Sequence, residues 1–364
     1  LFRVNDKISL ILIMNKDTLK TSFAKRLIKW YGKEKRALPF RENKDPYRVW
    51  LSEVILQQTQ METGIKYYNT FIKNFPNIKS LANSSEKKVY SLWQGLGYYN
   101  RAKNLHKSAK IINKKYNGVF PDNYNELIKL PGIGKYTASA ISSICYNEKR
   151  LVVDANVFRV LSRFFGISKD ISKPSSYNYF LKFSEETAQK ITDFGEYNES
   201  IMDFGGSVCL PKKPLCIKCV FKKDCFAKKE KKIKTFPIKK REIKIKKRFF
   251  NYIVFEDKNR VLIKKRVKKD VWENLYEFYL TEEQTLSSNS LSLNKTPMED
   301  FILKSKDTAK LSHQIIKINF YKLRDVEYNL EKIGKDLNMV IVKKSNLKNY
   351  AFPKVINNYL KSES

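Results

Sequence analysis

Over the first 225 residues, apolar positions recur at the spacing of amphipathic helices. Two of these stripes consist of Phe23, Leu27, Ile28 and Trp30, and of Val89, Leu92 and Trp93. Short segments containing Gly, Pro or Asn separate the stripes, and strand-like alternation is scarce before residue 252. The pattern therefore predicts an all-helical domain over residues 15–226.

The pattern changes after residue 249. Residues 252–255 and 261–263, on either side of a turn at 257–259, have the composition of short strands, and residues 315–323 form another such run. Residues 281–300 are polar and rich in Ser, which predicts a loop. We expect a smaller α+β domain over residues 249–360, so the predicted fold class is multidomain, an all-α domain followed by an α+β domain.

The charge of the chain adds a partner to this picture. Lys and Arg number 72 against 37 Asp and Glu, a net charge of +35, while 42% of residues are hydrophobic, which is enough for folded cores. A basic protein of this kind is expected to bind a polyanion, because cations placed on phosphates release counterions. An acidic membrane surface is the competing partner. Residues 227–248 hold 12 basic and 2 acidic residues, a net of +10, and are predicted to be an interdomain linker.

The amino-terminal residues 1–14 begin with Leu rather than Met, and residues 10–14 are apolar. They lack the small-residue cleavage site that a signal peptide requires. We expect them to be a non-functional extension, with Met14 as the natural start. The longest apolar run, at residues 8–14, is far shorter than the ~18 residues that a membrane-spanning helix needs, so no membrane partner is predicted.

Four of the five cysteines lie within 17 residues, with the spacing C-x6-C-x2-C-x5-C. They are Cys209, Cys216, Cys219 and Cys225. This convergence on one loop, 209–225, is typical of a metal site rather than of a disulfide framework. A 4Fe–4S cluster is favoured over zinc, because four-cysteine zinc sites usually contain two C-x2-C pairs and this loop contains one. The fifth, Cys145, is predicted to be a small core residue.

The sequence LPGIGKYTA at 130–138 places two glycines between an amphipathic stretch and a helix of small residues. Gly132 and Gly134 allow a sharp turn and expose backbone N–H groups, and the following helix N-terminus favours an anion. We interpret the region 124–146 as a hairpin that holds phosphate. An ordinary tight turn between helices is the alternative.

Two carboxylates are candidates for acid–base chemistry. Glu53 lies on an apolar helical stripe, where desolvation should raise its pKa and suit it to act as a general acid. The alternative is a Glu at the edge of the stripe that reaches water. Asp154 precedes a helical stripe, and the field of the helix N-terminus should keep it ionised, although a simple N-cap also explains it. A protonated Glu and an ionised Asp form the pair that glycosidic cleavage requires.

Six motifs occur together in this chain: LPFR at 38–41, SEVILQQTQ at 52–60, GLGYYNRAKNL at 95–105, LPGIGKYTA at 130–138, VDANVFRVLSR at 153–163, and the cysteine loop. Over about residues 23–352 they closely resemble the adenine DNA glycosylase family of the helix-hairpin-helix superfamily. The resemblance implies hydrolysis of the N-glycosidic bond of an adenine mispaired with 8-oxoguanine or G in duplex DNA, after base flipping. It also implies one 4Fe–4S cluster per chain, bound by the four cysteines, and a monovalent cation at the hairpin.

The resemblance also implies roles for individual residues. Glu53 matches the acid that protonates adenine N7, and Asp154 the carboxylate that stabilises the oxocarbenium ion or bonds its anomeric carbon. Supporting positions match Tyr136 and Asn156. The adenine pocket matches Phe40, Arg41, Leu56 and Glu199, the positions beside the opposing lesion match Gln58, Thr59 and Tyr98, and the phosphate-binding hairpin matches Gly132, Gly134 and Lys135.

Position 136 distinguishes this chain from the related endonuclease III group, where a lysine at this place forms a Schiff base. Here the position holds Tyr136, and Lys135 should point away because a helix turns by about 100° per residue. We therefore expect a monofunctional glycosylase. The alternatives are an endonuclease III-like enzyme that removes oxidised pyrimidines, and a non-catalytic iron–sulfur DNA-binding protein.

The carboxy-terminal domain resembles a degenerate Nudix fold, in which Ser312 and His313 match the loop that reads 8-oxoguanine. Asp270 stands where relatives usually have Gly, Tyr276 replaces a Trp and Tyr279 a Pro. The metal-binding REUxEE motif of active Nudix hydrolases is absent from the sequence, so pyrophosphate hydrolysis is not expected. We predict a monomeric, cytoplasmic, nucleoid-associated protein that binds double-stranded DNA.

Overall fold

The computed structural model describes residues 2–240, 245–286, 300–311, 313–324 and 329–363, with side chains from residue 18 onward. The chain divides into two compact units, one formed by Leu1–Lys79 with Ser108–Arg241 and the other by Ser80–Lys107 with Glu242–Ser364. This division groups residues 80–107 with the carboxy-terminal part. The domain bounds 15–226 and 249–360 remain predictions.

Helices make up the regular structure of the first 229 residues that are described. They are α1 (Phe2–Glu34), α2 (Pro46–Leu56), α3 (Met61–Asn74), α4 (Ile78–Ala82), α5 (Glu86–Trp93), α6 (Asn100–Lys115), α7 (Tyr124–Leu127), α8 (Lys135–Tyr146), α9 (Ala155–Phe165), α10 (Pro174–Thr187), α11 (Phe194–Ser207) and α12 (Phe226–Lys229). The first strand begins at Lys246. The predicted order of an all-α part followed by an α+β part is confirmed. Residues 2–14, predicted to be a non-functional extension, form the start of α1.

An aromatic cluster holds the cysteine loop against the helices. The ring of Phe221, which lies in this loop, is 4.8 Å from Phe23 of α1, 5.0 Å from Phe164 of α9 and 5.2 Å from Phe204 of α11, measured between centroids. All four side chains are buried. Because large rings contribute most of the apolar area of a core, this cluster fixes the loop to three helices at once.

The second unit contains two sheets. The strands are β1 (Lys246–Val254), β2 (Arg260–Lys265), β3 (Tyr276–Glu277), β4 (Tyr279–Thr281), β5 (Phe301–Lys310), β6 (Gln314–Leu323) and β7 (Val340–Lys343), with α13 (Leu330–Asp336), a 3₁₀ helix (Lys344–Asn349) and α14 (Lys354–Ser362). One sheet has the order β4-β1-β6-β5 and the other β3-β2-β7. The strand pair β1 and β6 is parallel, and the other pairs are antiparallel. The predicted strands at 252–255, 261–263 and 315–323 correspond to β1, β2 and β6.

Helix α14 covers the four-stranded sheet. The ring of its Tyr359 stacks on Phe320 of β6, with centroids 4.3 Å apart, and Ile356 is fully buried in the same cluster. Leu330 of α13 belongs to a second apolar cluster with Leu262 and Ile253. Alternating side chains of the strands therefore supply two cores, one for each helix.

Much of the described part of the stretch predicted as a linker is packed. Phe226–Lys229 is helical, the Arg163 guanidinium donates to the carbonyl oxygens of Ile233 and Phe236, and the Ile171 N–H donates to the Ile238 carbonyl. At the other end, Arg248 is 8% exposed within β1. High positive charge alone therefore did not distinguish an extended connector from chain that packs along a helical unit.

Candidate active site and cysteine cluster

A cavity of about 620 Å³ opens in the first unit, between α2, α8, α9 and α11. Its wall includes residues from the predicted catalytic, adenine-pocket and opposing-lesion sets, namely Phe40, Arg41, Glu53, Leu56, Gln58, Thr59, Tyr136, Asp154, Asn156 and Glu199. These residues are up to 159 positions apart in sequence, from Phe40 to Glu199. Tertiary packing brings them to one wall.

Helix α2 carries Glu53 to the cavity, and its start is encoded locally. Asp45 caps the helix by accepting from the Arg48 N–H at 2.8 Å, and Pro46 occupies the first helical position. The helix ends at Leu56, and Gln58 then adopts a left-handed backbone with φ of 56°. Burial of its neighbours Trp50 and Leu51 anchors the helix in the core.

Burial raises the pKa of Glu53 to about 7. The charges of Asp154 and Glu199 add to this, whereas a hydrogen bond with Tyr136 and the charge of Arg41 oppose it. The direction is the one expected for a carboxyl on an apolar stripe. The Tyr136 hydroxyl lies between two partners, because it also donates to Met202 Sδ at 2.9 Å.

Asp154 caps α9, with Oδ1 accepting from the N–H groups of Asn156 at 2.9 Å and Val157 at 2.8 Å. Its Oδ2 accepts from Asn156 Nδ2 at 2.7 Å. The field of the helix N-terminus is expected to lower the pKa of Asp154, but burial has the larger effect. Burial raises the pKa of Asp154, and these hydrogen bonds reduce the rise without reversing it.

A hydrogen-bonded path joins Asp154 to the cysteine loop. Asn156 Oδ1 accepts from Arg159 Nη2 at 2.7 Å, and Arg159 Nε donates to the Cys209 carbonyl at 2.6 Å. Arg159 is a buried residue, 7% exposed, and its Nη2 also donates to the Gly205 carbonyl at 2.7 Å. Arg159 therefore positions Asn156 and the start of the loop together.

The four predicted cysteine ligands lie in the loop as free thiols. Arg163 Nη1 donates to Cys209 Sγ at 3.6 Å, and the Phe221 N–H donates to Cys219 Sγ at 3.4 Å. Burial raises the pKa of Cys219 to about 12, and the other three thiols raise it further, so their charges interact. Soft sulfur donors with N–H groups directed at them fit an iron–sulfur cluster. Among the residues that the structure describes, none form a set of three or more side chains placed to hold a single metal ion.

The hairpin predicted to hold phosphate has the expected backbone. Gly132 adopts φ of 78°, which other residues rarely take, and Gly134 caps α8 without a side-chain hydrogen bond. The N–H groups of the first turn of α8 therefore face outward without a capping side chain. Lys135 is exposed and does not line the cavity, whereas Tyr136 does.

The residues predicted to meet the opposing lesion fall into both units. Tyr98 is 48% exposed, with a left-handed φ of 48°, and the Arg101 guanidinium lies 5.7 Å from its ring. His313 is exposed in the turn between β5 and β6, where its carbonyl accepts from the Lys246 N–H at 3.0 Å. Ser312 lies outside the described residues.

Sequence reasoning missed several residues of this site. Arg36, Met202 and Gly206 line the cavity, and Asp203 lies behind the wall. The spacing of Glu199, Met202 and Asp203 contains a usable signal, because residues three and four apart share a helix face.

Comparisons with known proteins agree with this geometry. Residues 51–186 match the HhH-GPD superfamily of base excision DNA repair proteins, and residues 251–362 match the NUDIX domain. An adenine DNA glycosylase of Buchnera aphidicola from Acyrthosiphon pisum is 40% identical over 82% of this chain and 86% of its own. The human adenine DNA glycosylase is 37% identical over 57% of this chain and 40% of its own.

A solved structure supports the fold of the helical part. A thermostable thymine-DNA glycosylase, 25% identical, superimposes with a TM-score of 0.51 over 60% of this chain and 99% of its own. No helix among the described residues is long and apolar enough to cross a membrane.

Proposed function

This chain belongs to the adenine DNA glycosylase family of base excision repair enzymes, and we propose that it hydrolyses the N-glycosidic bond of adenine mispaired with 8-oxoguanine or G in duplex DNA. The observation that carries the proposal is the pair Glu53 and Asp154 on the wall of one cavity, with the pKa of Glu53 raised to about 7. A cavity of about 620 Å³ has room for a flipped adenine.

In the proposed mechanism, the protonated Glu53 donates its proton to adenine N7, which makes the base a better leaving group. Tyr136 orients this carboxyl. Asp154 stabilises the positive charge that develops on the sugar, and its hydrogen bonds with Asn156 hold it in place. The N-glycosidic bond breaks with its electron pair passing to the protonated base, which leaves as neutral adenine, and water then adds to the sugar cation and releases its proton to the Glu53 carboxylate.

The polar groups of the cavity wall are suited to binding an adenine. Arg41 Nη1 lies 2.9 Å from Asp203 Oδ1, but its N–H direction leaves this buried nitrogen without a hydrogen-bond acceptor. Such a donor can bind a ring nitrogen of the base, and Glu199 can accept from the exocyclic amine. Phe40 and Leu56 supply apolar contacts, although Phe40 stands where the family usually has the larger Trp.

Several further assignments belong to the same proposal. Gln58, Thr59 and Tyr98 contact the strand opposite the adenine, and Ser312 and His313 read the lesion. The hairpin with Gly132, Gly134 and Lys135 binds DNA phosphate, with a monovalent cation at its backbone. The protein acts as a monomer on chromosomal DNA in the cytoplasm.

We propose one 4Fe–4S cluster held by Cys209, Cys216, Cys219 and Cys225. It would supply four iron–thiolate bonds that close the loop. The loop's own lysines, at positions 212, 213, 218, 222 and 223, are exposed and would bind the DNA backbone.

One assay panel tests the function: base release from duplexes carrying A opposite 8-oxoguanine, A opposite G, or thymine glycol. We expect release of adenine only, fastest opposite 8-oxoguanine. The Asp154→Asn variant should bind the mispaired duplex and release no adenine, so retained turnover would refute the mechanism. Excision of thymine glycol, with borohydride trapping of a stoichiometric DNA adduct, would favour the endonuclease III-like alternative. Binding without any excision would favour the non-catalytic alternative.

A further inference from the structure

Asp203 is a buried carboxylate that does not reach the cavity. Its side chain is completely buried on α11, one turn after Glu199, and it does not line the cavity wall. Two arginines from one segment meet it. Arg36 Nε donates to Oδ1 at 2.6 Å and the Arg36 N–H to Oδ2 at 3.2 Å, while Arg41 Nη1 lies 2.9 Å from Oδ1.

The charges of this cluster depend on one another. A buried guanidinium is costly unless an acid compensates it, and the Arg41 side chain is 13% exposed. Its other acidic neighbour, Glu199, is at 3.5 Å and also accepts from the Tyr31 hydroxyl at 3.3 Å. Asp203 is therefore the closer and better buried of the two counterions.

We propose that Asp203 is a positioning residue for adenine excision: it holds the Arg41 guanidinium at the cavity wall and compensates its charge beside Glu53. The inference rests on the proposed function, because Arg41 and Glu53 are assigned roles there. Asp203 itself touches neither the base nor the sugar.

The electrostatic consequence can be followed at Glu53. Its carboxyl faces Tyr136 of α8, Asp154 at the start of α9, Glu199 of α11 and Arg41. Arg41 is the cation of this set and favours the ionised form of Glu53. Loss of the Asp203 charge leaves Arg41 less compensated, so Glu53 loses its proton at a lower pH.

The test measures single-turnover adenine release from a duplex with A opposite 8-oxoguanine, as a function of pH. Asp203→Asn is introduced into the wild-type protein and into an Arg41→Gln variant. The amide keeps the size of the carboxylate and one acceptor oxygen. A matched control is Thr187→Val, which removes a buried hydroxyl pair, Thr187 to Tyr197 at 2.6 Å, between α10 and α11.

We expect the alkaline limb of the rate profile to move to lower pH in Asp203→Asn, with a rate above neutral pH reduced roughly tenfold. In the Arg41→Gln background the same change should have no further effect, because Asp203 acts through Arg41. Thr187→Val should lower the melting temperature and leave the limb in place.

The inference is overturned if the limb of Asp203→Asn coincides with that of the wild type, or if the effect is equal in both backgrounds. The first result would mean that Asp203 serves stability alone, and the second that it acts on the reaction without Arg41. A wild-type protein that releases no adenine would instead contradict the proposed function, and melting temperatures identify any variant that fails to fold.

Discussion

Both units of the protein bury carboxylates beside arginines, but they balance these charges differently. In the second unit, Asp270 lies between Arg248, which donates to it at 2.9 and 2.7 Å, and Arg266, which donates at 2.9 Å. Arg248 also binds Glu282, and Arg266 binds Glu277. Around the cavity of the first unit, by contrast, the arginines face Asp203 and Glu199, and Glu53 has a tyrosine as its neighbour.

The pKa values follow this difference. Hydrogen bonds from Arg248 lower the pKa of Asp270, whereas burial raises the pKa of Glu53 to about 7. The Glu53 carboxyl is buried and has a tyrosine as its neighbour, whereas the Asp270 carboxylate is partly exposed and lies between two arginines, so both desolvation and the distance to a cation separate the two pKa values. A carboxylate with close cations, such as Asp270, instead becomes part of a structural scaffold of ion pairs.

Asp270 illustrates the scaffold. The family resemblance implies Gly at this position, and here the Asp270 carboxylate joins the two arginines. Arg248 Nη1 also donates to Gln314 Oε1 at 3.3 Å, and Gln314 directly follows His313 in the chain. The substitution thus adds a charged support beneath the turn that we propose reads the lesion.

The largest expected effect concerns Glu53, whose carboxyl has a tyrosine as its hydrogen-bond partner. Glu53→Gln removes the proton donor, and single-turnover adenine release should fall by roughly 10²- to 10⁴-fold. In the wild type, the protonated form is active, so the rate should decline as pH rises through about 7. The variant should lack this limb. Glu62→Gln, at an exposed position of α3, is the control, and a variant within tenfold of it would show that Glu53 is not the acid.

The second effect concerns the paired carboxyl. Glu277→Gln leaves Arg266 without one of its counterions. The Glu277 side chain is 5% exposed and the Arg266 side chain 6% exposed, so water cannot replace the lost charge. We expect the free energy of unfolding to fall by about 3 kcal/mol, measured by urea denaturation. The control is Glu331→Gln, whose loss of the exposed pair with Arg260 should leave the free energy of unfolding nearly unchanged. Equal losses in the two variants would remove the distinction between buried and exposed pairs.

The smallest effect concerns backbone strain at the edge of the cavity. Gln58 has φ of 56°, which glycine adopts more readily, so Gln58→Gly should stabilise the fold by about 1 kcal/mol. Adenine release from the lesion duplex should nevertheless become slower, because the side chain proposed to contact the opposing strand is lost. Gln60→Gly, with φ of −65° at the start of α3, should bring no such gain. A destabilised Gln58→Gly variant would contradict the assignment of strain.

Much of the fold was predictable because helix signals are local. The stripes at Phe23 and Val89, the cap at Asp154 and the strand at 315–323 all have their expected structure. The linker at 227–248 stays a prediction, and charge density does not report contacts such as those that Arg163 makes with Ile233 and Phe236.

The candidate site was predictable to the extent that its residues lie in short motifs. Asp203, Arg36 and Met202 were not found, because their roles depend on contacts between α11 and segments far away in the chain. The pKa of Asp154 could not be predicted either, because the helix field is a local effect, whereas the burial that raises this pKa depends on the tertiary structure.

By itself, the sequence determined where helices and strands form, which residues cap them and which motifs carry carboxylates and thiols, because these depend on neighbours within a few positions. Only the tertiary structure decided which charges meet. Desolvation and ion pairing depend on the atoms surrounding a group in space, and they raise the pKa of Glu53 and lower that of Asp270.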